Sequence, residues 1–224
     1  MQKTKKERQT NELPQYTKGE ERLNFLSHAV GAALSVPAML FCLIRAQDGP
    51  AVICAAVYGL SLFALYTVSA LYHGLPREST AAKCKARIAD HCTIYFLIAG
   101  TYTPVTLIAL RRVSAGWGIG IFVTVWILCL IAAVFTAIDL KRFAAISMTA
   151  YVGAGWCIIL AARHVIEAIG NTGWTFLLLG GIFYTVGAVL YGIGKRRKWF
   201  HAIFHFFVMA GSALQFVAVC FYVL

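Results

Sequence analysis

The amino-acid sequence predicts an all-α membrane protein, a bundle of seven transmembrane helices with a cytoplasmic N-terminus and an external C-terminus. Three observations lead there. Of 224 residues, 60% are apolar and 13% charged, with a mean hydropathy of +0.73, whereas soluble domains carry about twice that charged share. The charges gather in short clusters between long uncharged runs. A water-soluble surface cannot be assembled from them, which excludes a soluble globular enzyme. The basic residues also fall unevenly on alternate loops, and this assigns the two sides of the membrane.

A helix needs about 20 apolar residues to cross the hydrocarbon core. Stretches of that length begin near Ser27, Ala51, Ala89, Trp117, Phe143, Gly173 and Ala202, and end near Ala46, Leu75, Leu110, Ile138, Ala162, Ile193 and Leu224. Residues 27–224 therefore form one transmembrane domain with short loops, preceded by a polar, basic cytoplasmic tail over residues 1–26. The tail is not a secretory signal, since the apolar segment after it is of spanning length and no small-residue cleavage pattern closes it. Barrel strands would alternate in polarity over about ten residues, and none do. Tyr102, Thr103 and Pro104 predict a kink in the third helix, with hydroxyls compensating the missing backbone donor. Gly153, Gly155, Gly180, Gly181, Gly187 and Gly192 predict close packing of the fifth and sixth helices. Gly116, Gly118 and Gly120 imitate a dinucleotide loop, but no strand precedes them. The last helix has no lysine to anchor a retinal Schiff base.

Sixteen of the 20 basic residues fall on one set of loops: Lys3, Lys5, Lys6, Arg8, Lys18 and Arg22; Arg77, Lys83, Lys85 and Arg87; Lys141 and Arg142; and Lys195, Arg196, Arg197 and Lys198. Only Arg45, Arg111, Arg112 and Arg163 face the other side. Basic residues near span ends stay in the cytoplasm, which orients the chain. The net charge of +11 then reports topology and affinity for anionic lipid headgroups, and not nucleic acid. The seven cysteines are scattered without a CxxC, so buried thiols are expected and no disulfide framework.

Ionisable groups inside a bilayer are costly, so each one within a span is a candidate site residue. His28 opens the first helix, Ser69 and His73 close the second, Asp90 and His91 open the third, and His201 and His205 open the seventh. The predicted topology brings all of these to the cytoplasmic end. His164 falls on the opposite side, at the interface. His201 and His205, spaced i, i+4, put two rings on one helix face where both can reach one cation. His73 would complete a three-histidine set, and three protein ligands with an open position is the catalytic arrangement for zinc. Alternatively, the two rings sit among headgroups beside the basic loop. Asp90 can act as a general base or hold a water beside the metal, or it can be a first-turn residue stabilised by the helix dipole and Arg87. Ser69 lies one turn before His73, placed to donate to a bound water or a developing oxyanion. Glu21, Asn24 and His28 step along one helix face. A fourth ligand from His28 would close the open position, which assigns it with Glu21 and Asn24 to the surroundings of the metal.

These residues carry a resemblance. The chain over residues 18–224 is similar to the bacterial hemolysin III proteins, the prokaryotic branch of the progestin and adipoQ receptor family. The resemblance rests on Glu21, Asn24 and His28, on Ser69, His73 and Asp90, on His201 and His205, and on the run Ala99-Gly100-Thr101-Tyr102-Thr103-Pro104. It implies a seven-helix bundle with zinc near the cytoplasmic face on His73, His201 and His205, and the aspartate corresponding to Asp90 on the metal-bound water. The wider superfamily includes alkaline ceramidases, which hydrolyse a lipid amide. The leading expectation is thus a zinc-dependent hydrolase of an amide or ester bond in a lipid-like substrate, residing in the cell membrane among its lipid partners. A zinc-stabilised, non-catalytic regulator of membrane state is the alternative. A haemolytic pore is disfavoured, because no ring of polar residues runs through several spans.

Overall fold

A computed structural model describes residues 13–194 and 197–224. Lys3, Lys5, Lys6, Arg8, Lys195 and Arg196, used above to orient the chain, lie outside them. Every regular element among the described residues is helical. The first helix, α1 (Lys18–Arg45), begins well before the apolar run because its start is set by a capping box. Thr17 Oγ1 accepts the Glu20 N–H at 3.2 Å, and Glu20 Oε2 accepts the Thr17 N–H at 2.8 Å. Both groups are backbone donors that a helix N-terminus otherwise leaves without partners. Asp48 caps α2 (Gly49–Gly74) by accepting the Ala51 N–H at 2.7 Å.

The third helix, α3, starts at Thr80 and runs to Pro104, far ahead of the apolar onset at Ala89. At the predicted kink it passes into π-helical geometry over Val105–Leu110. The hydroxyls of Thr101, Thr103 and Thr106 donate to the carbonyls of Leu97, Ala99 and Tyr102 around it, at 2.8, 2.8 and 2.6 Å. Then follow α4 (Ala115–Ile138), α5 (Ala144–Trp156) with a 3-10 turn over Cys157–Ala161, α6 (Ala162–Gly194) and α7 (Phe200–Ala218), which ends in a π-helical turn over Val219–Val223. The Tyr102 hydroxyl stabilises the irregular turn after α5, donating to the Gly155 carbonyl at 2.8 Å and accepting the Ile158 N–H at 2.9 Å.

Six helical runs among the described residues are long and apolar enough to cross a membrane. The sequence reads one more because the longest run, Ala144–Gly194 with 51 residues, is interrupted. Gly170 has φ +70° and ψ 170°, a conformation that essentially only glycine adopts. The Trp156 indole donates to Thr185 Oγ1 at 3.0 Å, although those positions would lie about 43 Å apart along one straight helix. The run therefore folds back on itself at Gly170.

The helix pairs α1–α2, α2–α3 and α6–α7 pack most extensively, and α1 also reaches α7, so the first and last helices are neighbours. Between α6 and α7 two glycines permit close approach: an added Cβ would sit 2.7 Å from Gln215 Nε2 at Gly180 and 2.8 Å from the Tyr184 ring at Gly211. The packing role expected for the other glycines fails at Gly153, Gly155 and Gly192, where a Cβ would meet nothing. Apolar side chains such as Ile119, Ile127, Leu130, Ile131 and Val134 leave one side of α4 exposed in the isolated bundle. Lipid is the natural cover for such a surface.

Candidate metal centre

Three helix ends converge where α1 begins. The last turn of α2 supplies His73, and successive turns at the start of α7 supply His201 and His205. All three side chains are buried, and their ligand atoms lie within 4.8 Å of one another. His201 Nε2 is 3.3 Å from His73 Nε2 and 3.2 Å from His205 Nε2. Four ligands at about 2.0–2.1 Å around a tetrahedral cation stand about 3.3 Å apart.

The tautomers explain why these contacts are not an ordinary hydrogen-bonded cluster. His73 Nδ1 is 2.6 Å from Glu21 Oε2, a carboxylate that only accepts, so the ring proton sits on Nδ1. Ser27 Oγ donates to the Asn24 carbonyl at 3.0 Å and therefore accepts from His205 Nδ1 at 3.2 Å. When His73 and His205 are neutral, both Nε2 atoms point lone pairs at His201, whose own Nε2 has at most one proton to offer. The donor set is short of protons and arranged for a cation. His73, His201 and His205 can hold a metal ion.

The residues around the ligands fix them. Glu21 also pairs with Lys83, its Oε1 lying 2.9 Å from Lys83 Nζ, and that buried ammonium donates to the Leu75 carbonyl at 2.8 Å as well. A chain from α3 through α1 to α2 thus orients His73, in the manner of the carboxylate partners that ligating histidines usually have. His201 makes no Nδ1 hydrogen bond among the described residues. Its ring lies instead against Tyr16, with centroids 4.8 Å apart and planes at 24°, and near Tyr191 and Phe204.

Asp90 lines a cavity of about 150 Å³ together with Ser69, His28, His201 and His205. The Ser69 side chain is turned toward its carboxylate. Because α3 begins at Thr80, Asp90 lies in the third turn and not at a helix N-terminus. The helix-dipole explanation of this residue fails, since that effect fades beyond the first turn. The cavity continues between α3, α5, α6 and α7 as far as Gln215, lined by apolar and aromatic side chains such as Ile94, Val152, Phe204 and Val208.

His28 is outside the ligand group. Its ring stacks on that of His205 at 3.7 Å and 13°, and its nitrogens do not join the group formed by the other three. Neither its nitrogens nor the Asn24 amide has a hydrogen-bond partner in the described structure. His164 lies on the helix over residues 162–169, its ring 5.8 Å from that of Trp117. Sequence reasoning gave no role to Tyr16 or Ser27 and treated Lys83 only as a topology charge. Their roles arise from contacts between distant segments, for which no local spacing is a signal.

Fold and site together define a polytopic helical membrane protein with a buried centre of three imidazoles. The family described as Haemolysin-III related matches residues 16–216. Hemolysin-3 of Bacillus cereus is 39% identical over 95% of both chains. The Hemolysin-3 homolog of Bacillus subtilis (strain 168) is 39% identical over 92% of this chain and 96% of its own. The human monocyte to macrophage differentiation factor is 26% identical over 75% of this chain and 69% of its own. The chain belongs to the hemolysin III family, the bacterial branch of the progestin and adipoQ receptor family, and is a multi-pass protein of the cell membrane.

Proposed function

We propose that this protein is a zinc-dependent hydrolase of an amide or ester bond in a lipid-like substrate. The observation that carries this reading is the convergence of three imidazole Nε2 atoms beside a carboxylate, at the polar end of a mainly apolar cavity. Zinc bound here supplies Lewis acidity and makes water a nucleophile at neutral pH. His73, His201 and His205 hold the ion, and Glu21 keeps His73 in the binding tautomer. Asp90 takes the proton of the attacking water and returns it to the leaving group. Ser69, whose side chain faces Asp90, orients that carboxylate; stabilising an oxyanion requires its proton to be released from Asp90 first. The cavity lining on α7 spans His201 to Gln215, about 21 Å along the helix, which suits an extended acyl chain.

The chain crosses the membrane seven times, with Ala144–Gly194 counted as two crossings. Its N-terminus is cytoplasmic, and the centre lies at the cytoplasmic headgroup level. The fold-back at Gly170 and the excess of Lys and Arg on one set of loops support this topology.

A second reading, metal as a clamp between α2 and α7 in a regulator of membrane state, is favoured by the burial of all three ligands. Closed structural sites, however, generally use four ligands. The test is metal content per chain of the detergent-purified protein and of His73→Ala, His201→Ala and His205→Ala, followed by turnover of amide- and ester-linked lipids. About one zinc per chain, lost in each variant, with turnover abolished in Asp90→Asn while the metal stays, supports hydrolysis. Metal with no turnover of any lipid supports the clamp. A folded wild-type protein without metal removes both.

A further inference from the structure

The segment before α1 lies across the metal centre. Leu13 is 4% exposed, so this end of the chain is anchored by burial although it precedes the first helix. Three residues on, the Tyr16 ring stacks on His201 at 4.8 Å and 24° and approaches His73 at 5.8 Å. Two of the three ligands therefore lie against the same aromatic ring, one of them stacked on it. The segment is also latched at its other end. Glu20 Oε2 accepts both the N–H and the hydroxyl of Thr17 at 2.8 Å, and Glu20 Oε1 accepts the Trp199 N–H at 2.6 Å.

Trp199 is the residue before α7 and adopts φ +66°, a left-handed conformation uncommon for a side chain of its size. In this conformation its ring lies over Gly19, where an added Cβ would come within 3.2 Å of it. A buried carboxylate, a glycine and a left-handed tryptophan thus fasten the start of α1 to the start of α7, two residues from His201. His73 and His205 are each oriented by a hydrogen bond at Nδ1, whereas His201 has the Tyr16 stack in that place.

We infer that residues 13–17 form a strap closing the metal centre at the end of the bundle where α1 begins, with Tyr16 as the positioning residue that holds the His201 imidazole and excludes bulk water from the ion. The inference rests on the metal reading above. It adds a route: with the strap in place, ligands reach the ion through the cavity between the helices and not from the aqueous end.

The experiment is release of zinc from the full-length, zinc-loaded protein in detergent to a water-soluble chelator, with metal content measured beforehand. Tyr16→Ala should keep about one zinc per chain but release it about tenfold faster, the scale of a lost aromatic stack. Tyr16→Phe, which keeps the ring, should stay within about twofold of wild type. Glu20→Gln, which weakens the latch and leaves the ring, should release zinc about threefold faster, since the charge-assisted hydrogen bonds to Thr17 and Trp199 become neutral and one acceptor oxygen becomes a donor. Wild-type release rates in Tyr16→Ala overturn the strap. Should Tyr16→Ala fail to fold, a wild-type rate in Glu20→Gln overturns it instead. Should the wild-type protein hold no metal, the metal reading fails, and the strap is judged by diethyl pyrocarbonate labelling of His201 read by mass spectrometry. Faster labelling in Tyr16→Ala supports it and unchanged labelling overturns it.

Discussion

The two ends of the bundle differ in the ionisable groups they bury. Where α1 begins, Glu20, His28, His73, Lys83, His201 and His205 are all buried, and Glu21 and Asp90 are partly so. At the far end Arg45, Arg111, Arg112 and Arg163 are all exposed. An exposed arginine at a membrane boundary keeps its water or finds a headgroup and costs little. A buried carboxylate or ammonium loses its water and is retained where a partner restores the interaction. Glu21 shows the restoration directly, with His73 on one oxygen and Lys83 on the other. Both ends thus carry exposed boundary charges, such as Lys18, Lys85 and Lys198 at the near end, but the near end alone adds a buried set placed for chemistry.

Four substitutions break or sharpen this contrast, the largest effect first. His205→Ala removes one of three ligands, and bound zinc should fall from about one ion per chain to background by elemental analysis. Lys83→Met leaves Glu21, which is half-buried, with His73 as its remaining partner, and loss of the charge-assisted pair should cost about 2 kcal/mol of stability. That loss appears as a lower unfolding midpoint in detergent, and adding Glu21→Gln to Lys83→Met should recover part of it, because no carboxylate is then left short of its cation. Glu21→Gln alone keeps the shape but loses the carboxylate behind His73, so zinc affinity in a competition titration should drop about 10- to 100-fold. Arg163→Gln at the far end should change stability by no more than about 0.5 kcal/mol and leave zinc affinity unaltered. A far-end substitution that released the metal would show that the two ends are not independent.

Much of the site was legible because its parts announce themselves locally. His201 and His205 are one turn apart on one helix, Ser69 and His73 likewise, and imidazoles beside spanning segments need a reason to be there. Asp90 was legible as a candidate, but its setting was not. An apolar run marks the part of a helix in hydrocarbon, whereas the helix itself starts at Thr80, and this difference removes the dipole explanation. The fold-back at Gly170 was legible only as a polar interval between two apolar stretches. The backbone that makes the turn is continuous helix up to one left-handed glycine, so there is no loop for a pattern to find. His28 shares a helix face with Glu21 and Asn24, yet only the tertiary structure places it against His205 and outside the ligand group.

The sequence by itself determined the class of protein, most of the apolar helices long enough to cross a membrane, and the histidines that can hold a metal. Run length, composition and helical spacing are local quantities, and the bilayer reads them one segment at a time. The sequence reading placed Glu21 near the metal, but only the tertiary structure decided which histidine each neighbouring group serves. Glu21 reaches His73 across 52 positions, His73 meets His201 across 128, and Ser27 meets His205 across 178. Such pairings follow from which helix faces pack together. Packing is a property of the whole bundle, and no single segment carries it.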